Sequence, residues 1–114
     1  MNTSDASSDI SSAVSLIRGA RYLTAFTGAG ISVESGIPPF RGPGGLRGKY
    51  DAETLQIKYF LADPARAWPT IKEIFYDNFD RANPNAAHLV LARMEAAGML
   101  KVLITQNIDT VQWN

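Results

Sequence analysis

The chain contains no cysteine. Disulfide staples and thiolate zinc sites are therefore excluded within it. An excess of one charge is lacking too. The 11 Lys and Arg balance the 11 Asp and Glu for a net charge of zero, which argues against a general attraction to nucleic acid or to an anionic membrane. No apolar run approaches the ~20 residues that span a bilayer. Residues 1–9 carry neither a basic stretch nor an apolar segment, so they do not read as a signal peptide, and the expectation is a cytoplasmic protein. Histidine is down to His88 alone, which leaves a single obvious candidate for a general base. Hydrophobic residues make up 46% of the 114 positions, enough for one domain with a core.

What is present concentrates in residues 27–42, Thr27-Gly28-Ala29-Gly30-Ile31-Ser32-Val33-Glu34-Ser35-Gly36-Ile37-Pro38-Pro39-Phe40-Arg41-Gly42. This stretch follows an apolar run over residues 22–26 that reads as a buried strand. Glycines directly after a strand let a ligand approach the backbone, and a helical turn starting near Gly30 would aim free N–H groups at a phosphate. Spacing alone does not decide the matter. The third glycine of a dinucleotide fingerprint is replaced by Val33, and no Gly-Lys-Ser/Thr follows, so Gly28 and Gly30 also fit a plain strand-to-helix turn.

The rest of the chain reads as alternating elements. Residues 1–8 are polar and serine-rich and read as a disordered tail. Asp9 suits the cap of a helix with Ile10, Val14 and Ile17 on one face, packing against the sheet. Residues 35–51 hold Gly36, Gly42, Gly44, Gly45 and Gly48 with Pro38, Pro39 and Pro43, a long irregular loop that is either functional or a solvated linker. Phe40 beside Arg41 favours function. A short helix falls within residues 52–61, and a longer one is opened by Asp63-Pro64 and interrupted at Pro69. Its aromatics, Trp68, Phe75 and Phe79 among them, read as a core face or the lining of a small helical subdomain. Asn83-Pro84 opens the next helix, in which His88 reads as a packed, hydrogen-bonded side chain rather than a catalyst. Residues 101–105 form the second strand, with Gln106-Asn107-Ile108-Asp109 at its C-terminal end, the edge where ligands of open α/β sheets bind. Asp109 also fits the N-cap of a following helix.

Gly-Ala-Gly-Ile-Ser, then Ser-Gly-Ile-Pro-x-Phe-Arg-Gly, then Thr105-Gln106-Asn107-Ile108-Asp109 together resemble the sirtuin (Sir2) family of NAD-dependent protein deacylases. The resemblance runs from about residue 10 to residue 109. It implies an α/β fold, the N-terminal part of a Rossmann-like parallel sheet with flanking helices and part of a small helical subdomain. Residues 9–114 would then be an incomplete NAD-binding domain. It implies a reaction in which an acyl-lysine carbonyl oxygen attacks the nicotinamide ribose, nicotinamide leaves, and the acyl group passes to ADP-ribose. The implied cofactor is NAD, and the implied partner is an acyl-lysine protein. Ala29, Gly30, Phe40, Arg41, Gln106, Asn107 and Asp109 match the family's NAD-binding positions, and Gly28 and Ser32 fall within the same loop. The family's catalytic histidine lies downstream of the Thr-Gln-Asn-Ile-Asp motif, as does its four-cysteine zinc module. The 114 residues alone are accordingly expected to be inactive. A non-catalytic NAD- or ADP-ribose-binding remnant and an interaction fragment are the alternatives. An open sheet edge would allow self-association.

Overall fold

The structure, a computed structural model, describes residues 3–109 and 111. Two strands, β1 (Leu23–Thr27) and β2 (Leu100–Thr105), lie side by side and parallel. Their register pairs Thr24 with Val102, Phe26 with Ile104 and Thr27 with Thr105, with an irregularity between Leu23 and Thr24. The Gln106 N–H donates to Thr27 O at 3.3 Å and carries the ladder one step past both strands. The expected parallel α/β arrangement is present. Both strands sit about one residue from their sequence-based limits.

Helix α1 (Thr3–Gly19) corrects the reading of the N-terminus. It starts at Thr3, so most of the stretch assigned to a disordered tail is helical and Asp9 lies inside the helix; Met1 and Asn2 are outside the described residues. Further along the helix, serine hydroxyls bond back to the preceding turn. Ser11, Ser12 and Ser15 donate to the carbonyls of Ser7, Ser8 and Ser11 at 3.0, 3.0 and 3.1 Å, which satisfies hydroxyls that would otherwise compete with the backbone. The apolar stripe is not covered as expected. Val14 and Ile17 remain 40% and 37% exposed.

A 3₁₀ helix (Ala29–Ser35) follows β1 and is closed by Gly36 at φ 88°, the left-handed conformation that favours glycine. One turn of helix, α2 (Leu46–Lys49), interrupts the loop that the sequence leaves irregular. Next come α3 (Ile57–Ala62) and α4 (Pro64–Ile71). Asp63 caps α4 as expected, accepting from the Arg66 N–H at 3.1 Å, with Pro64 in the first turn. The interruption at Pro69 takes the form of a change of winding. After Ile71 the chain widens into a π-helical segment, Lys72–Asp77, and the Asn78 amide closes it by donating to Glu73 O and Ile74 O at 3.0 and 3.2 Å. Phe60, Trp68 and Tyr76 run in series across these helices with centroids 6.4 and 6.1 Å apart.

Helix α5 (Ala86–Ala96) packs on β2. Its cap is Asn85, two residues beyond the expected Asn83, and this side chain is a junction. Oδ1 accepts from the Ala87 N–H at 2.9 Å, while Nδ2 donates to Ile31 O at 2.7 Å and to Ser35 Oγ at 3.0 Å. The start of α5 is thereby fastened to the 3₁₀ helix. His88 completes a capping box, its Nδ1 accepting from the Asn85 N–H at 3.2 Å. It is the packed side chain the sequence suggests.

The chain exposes 8344 Å², against about 6,100 Å² for a folded monomer of its mass. Phe26 and Ile104, paired in register, are 68% and 45% exposed on one sheet face. Asn85 supplies the first prediction. Asn85→Ala should cost about 1–3 kcal/mol through loss of the cap and of both donated bonds. Asn85→Asp keeps the cap but turns a carboxylate oxygen toward Ile31 O, so it should also destabilise, through the lost tie alone. Urea unfolding followed by circular dichroism separates the two, and an Asn85→Asp protein as stable as wild type would mean the tie to the 3₁₀ helix contributes nothing.

Candidate functional site

Where β1 and β2 end, the backbone opens a cleft of about 650 Å³, within the 300–1,000 Å³ typical of small-molecule sites. Four chain segments line it. Ala29 and Gly30 contribute the first turn of the 3₁₀ helix, and residues 106–109 contribute the loop after β2. The loop after Gly36 supplies Phe40 and Arg41 together with Ile37, Pro38, Pro39 and Leu46. The π-helical segment and the turn after it supply Phe75 and Phe79, stacked edge to face at 5.8 Å.

The two strand-end loops are joined to each other. Asn107 Nδ2 donates to Gly28 O at 2.9 Å, and the Asn107 N–H donates to Thr105 Oγ1 at 3.1 Å. A Cβ at Gly28 would lie 2.8 Å from Gln106 Nε2, the mobile end of a long side chain that can swing aside. Gly30 differs, since a Cβ would meet nothing within 4 Å. By helix geometry, the N–H groups of Ala29 and Gly30 have no acceptor within the 3₁₀ helix, whose first bond runs from Ile31 N to Gly28 O at 3.2 Å. They border the cleft as donors.

The loop over the cleft is tied to itself. Leu46 N–H donates to Pro39 O at 2.9 Å, Arg47 N–H to Phe40 O at 3.2 Å, and Gly45 N–H to Gly42 O at 3.0 Å. A Cβ at Gly45 would come within 2.9 Å of Arg41 C, 3.0 Å of Gly42 O and 3.1 Å of Pro39 O. The Arg47 guanidinium lies 5.8 Å from the centre of the Phe40 ring, within cation–π range. Phe40 itself is 44% exposed.

Of the residues chosen from sequence, Ala29, Gly30, Phe40, Arg41, Gln106, Asn107 and Asp109 converge on this one cleft. Asp109 is buried at 5% exposure, and its carbonyl accepts from the Val111 N–H. The helix it was expected to cap would begin at Thr110, outside the described residues. Gly28 takes part through its carbonyl rather than as a lining residue. Ser32 stands one helical turn below the rim, fully buried, with no partner for Oγ among the described residues. Sequence reasoning passed over Leu46, Phe75 and Phe79. The four-residue spacing of the two phenylalanines puts them on one helix face, but helical spacing puts Trp68 there too, so the sequence carries no signal that separates them. His88 lies away from the cleft, buried under α5, with Nδ1 committed to the cap.

The cleft lies at the carboxyl edge of a parallel sheet beside the first strand-to-helix turn, the place where open α/β folds take their ligands. The Sir2 family model matches residues 28–114. The chain belongs to the Sir2 family. It is 46% identical over 99 residues to the NAD-dependent protein deacetylase of Caldivirga maquilingensis, covering 84% of this chain and 37% of that protein. It is 52% identical over 88 residues to the NAD-dependent protein deacetylase of Saccharolobus solfataricus, covering 77% and 35%. A solved Sir2 structure with a deacetylated p53 peptide and 3'-O-acetyl ADP ribose superposes with a TM-score of 0.85 at 38% identity, over 91% of this chain and 42% of that one. A Sir2 homologue in complex with ADP ribose gives 0.78 at 44% identity, over 85% and 39%. The chain thus spans between about a third and two fifths of the length of the relatives it matches.

The residues present fit a dinucleotide. The cleft has the volume, the Ala29 and Gly30 N–H groups border it with no partner among the described residues, and Arg41 supplies a cation. They do not fit the zinc module that the family resemblance implies. The chain has no cysteine, and the described residues contain no cluster of three metal-ligating side chains.

Gly45 makes the loop testable. Gly45→Ala forces a methyl group against three backbone atoms and should open the loop, at a cost of about 1–3 kcal/mol. Trypsin should then cut after Arg41 and Arg47 faster than in wild type. Gly48→Ala, where the added methyl meets open space, should leave the digestion pattern unchanged.

Proposed function

We propose that the cleft holds the pyrophosphate, ribose and nicotinamide portion of NAD, and that the chain serves NAD-dependent deacylation of acyl-lysine in proteins. The carrying observation is the convergence of residues 29–30, 40–41 and 106–109 on one cleft at the C-terminal edge of β1 and β2. The relatives' names as NAD-dependent deacetylases support the reaction class.

Each residue has a part suited to its chemistry. The Ala29 and Gly30 N–H groups donate to the pyrophosphate, and the Arg41 guanidinium neutralises it. Gln106 offers its amide to the ribose hydroxyls. Asn107 has one donor committed to Gly28 O and meets the ribose with its remaining amide capacity. The Asp109 carboxylate accepts from a carboxamide NH₂. Phe40 covers the reacting end against water, with Phe75 and Phe79 as the apolar wall opposite. When bound, NAD supplies the electrophilic ribose carbon and the nicotinamide leaving group. The base that activates a ribose hydroxyl is assigned by the family resemblance to a histidine downstream of residues 105–109, and His88 does not replace it.

Titration calorimetry with NAD tests the reading, beside an assay for free nicotinamide. Saturable binding is expected, weakened about tenfold or more by Asp109→Ala, with no nicotinamide released by the 114-residue chain. Absence of binding in a sample shown to be folded would overturn the proposal. Nicotinamide release would overturn the assignment of the base.

A further inference from the structure

Two walls of the cleft come from segments far apart in sequence, the loop over residues 37–46 and the π-helical segment with its following turn. The loop is internally bonded through Pro39, Phe40 and Gly42 to residues 45–47, which ties its two ends together. Its inclination over the cleft is set by what fastens it to its surroundings. Among the described residues, one side-chain hydrogen bond joins it to the opposite wall. Lys49 Nζ, at the end of α2, donates to Glu73 Oε1 at 2.8 Å. Glu73 stands two residues before Phe75, and Lys49 stands three after Leu46, so the bond joins two segments that each carry a lining residue.

The surroundings of the pair fix its geometry. Lys49 Nζ lies 5.1 Å from the centre of the Tyr50 ring, and the Tyr50 hydroxyl is buried with no hydrogen-bond partner among the described residues. Burial pushes the Tyr50 phenol above its usual range, so the ring stays neutral beneath the ammonium. Lys49 holds the Glu73 carboxyl below the ordinary carboxylate range. The pair is therefore charged at neutral pH. The other ion pair among the described residues, Lys72 to Asp77 at 2.9 Å, stays within one segment and joins nothing across the cleft.

We propose that the Lys49–Glu73 ion pair, seated on the Tyr50 ring, is a strap that positions the loop against the Phe75 and Phe79 wall and so tunes nucleotide affinity from outside the cleft. These are positioning residues that touch no ligand. Both side chains are about half exposed or more, so the pair contributes little to overall stability. Its effect falls on the loop's distribution between closed and displaced positions. The affinity part rests on the reading of the cleft as an NAD site; the loop-positioning part does not.

The test uses the 114-residue chain in two measurements, amide hydrogen exchange without nucleotide and NAD titration. Lys49→Glu and Glu73→Lys should each speed exchange at the amides of Gly45, Leu46 and Arg47 by about two- to fivefold, with α5 amides unchanged. Each should weaken NAD binding by a similar factor. The double swap, Lys49→Glu with Glu73→Lys, should restore both readings, and Lys49→Arg should leave both near wild type. Unchanged loop exchange in the single variants, or a double swap that restores nothing, would overturn the strap. Equal acceleration in α5 would also overturn it, in favour of a general stability role. If the wild-type chain fails to bind NAD while exchange responds as described, the NAD reading falls and the strap stands.

Discussion

The cleft depends on one constraint, the side-by-side parallel pairing of β1 and β2 with their ends level. Thr27 opposite Thr105 brings both strand-end loops to the same edge, and Asn107 Nδ2 on Gly28 O locks one loop to the other. Without that pairing, Ala29 and Gly30 would face solvent on one element and Asp109 on another. A slip of one residue would turn the side chains of β2 to the opposite face and carry Gln106 out of reach of Gly28. The polar chemistry of the site is therefore held by strand register, which in turn is fixed by apolar residues such as Leu100 that contact no ligand. Asn85 extends the same logic one layer outward, because it fixes the 3₁₀ helix to α5, and α5 rests on β2.

Much of this was legible in the sequence for identifiable physical reasons. The apolar runs before two polar loops announced the strands, and the Gly28 and Gly30 spacing announced a tight turn into a helix. Asp63-Pro64 gave the start of α4, since an acceptor side chain followed by a residue without N–H is the chemistry of a helix N-terminus. His88 read as a packed side chain, and it is buried with Nδ1 in the cap of α5. What escaped was decided by interactions between side chains and backbone that composition does not encode. Residues 3–8 are helical although their composition reads as a polar tail. The loop around Gly45 is ordered by its own carbonyls, so its glycines signify close backbone approach as well as freedom. Asn85 took the cap from Asn83 because its amide also reaches Ile31 and Ser35.

Within the site, the split between legible and hidden residues follows chemistry. Polar groups next to glycines were found, because such combinations are unusual in a core. The apolar wall was not, because Phe75 and Phe79 look like any core aromatics until they are seen to line the same cleft as Phe40. Family membership accounts for the coherence of the polar set, and the share of the relatives' length that is spanned accounts for how much of their fold is described.

The exposed register pair of Phe26 and Ile104, together with the uncovered stripe of α1, has a thermodynamic meaning. Unfolding a protein raises its heat capacity in proportion to the apolar surface newly wetted. Here a large share of that surface is wet already. The stability curve of the chain by itself should be a shallow dome with a broad melting transition and weak dependence on denaturant. Any protein surface that covers the sheet face would make the curve steeper as well as taller, converting a gradual loss of order into a cooperative one.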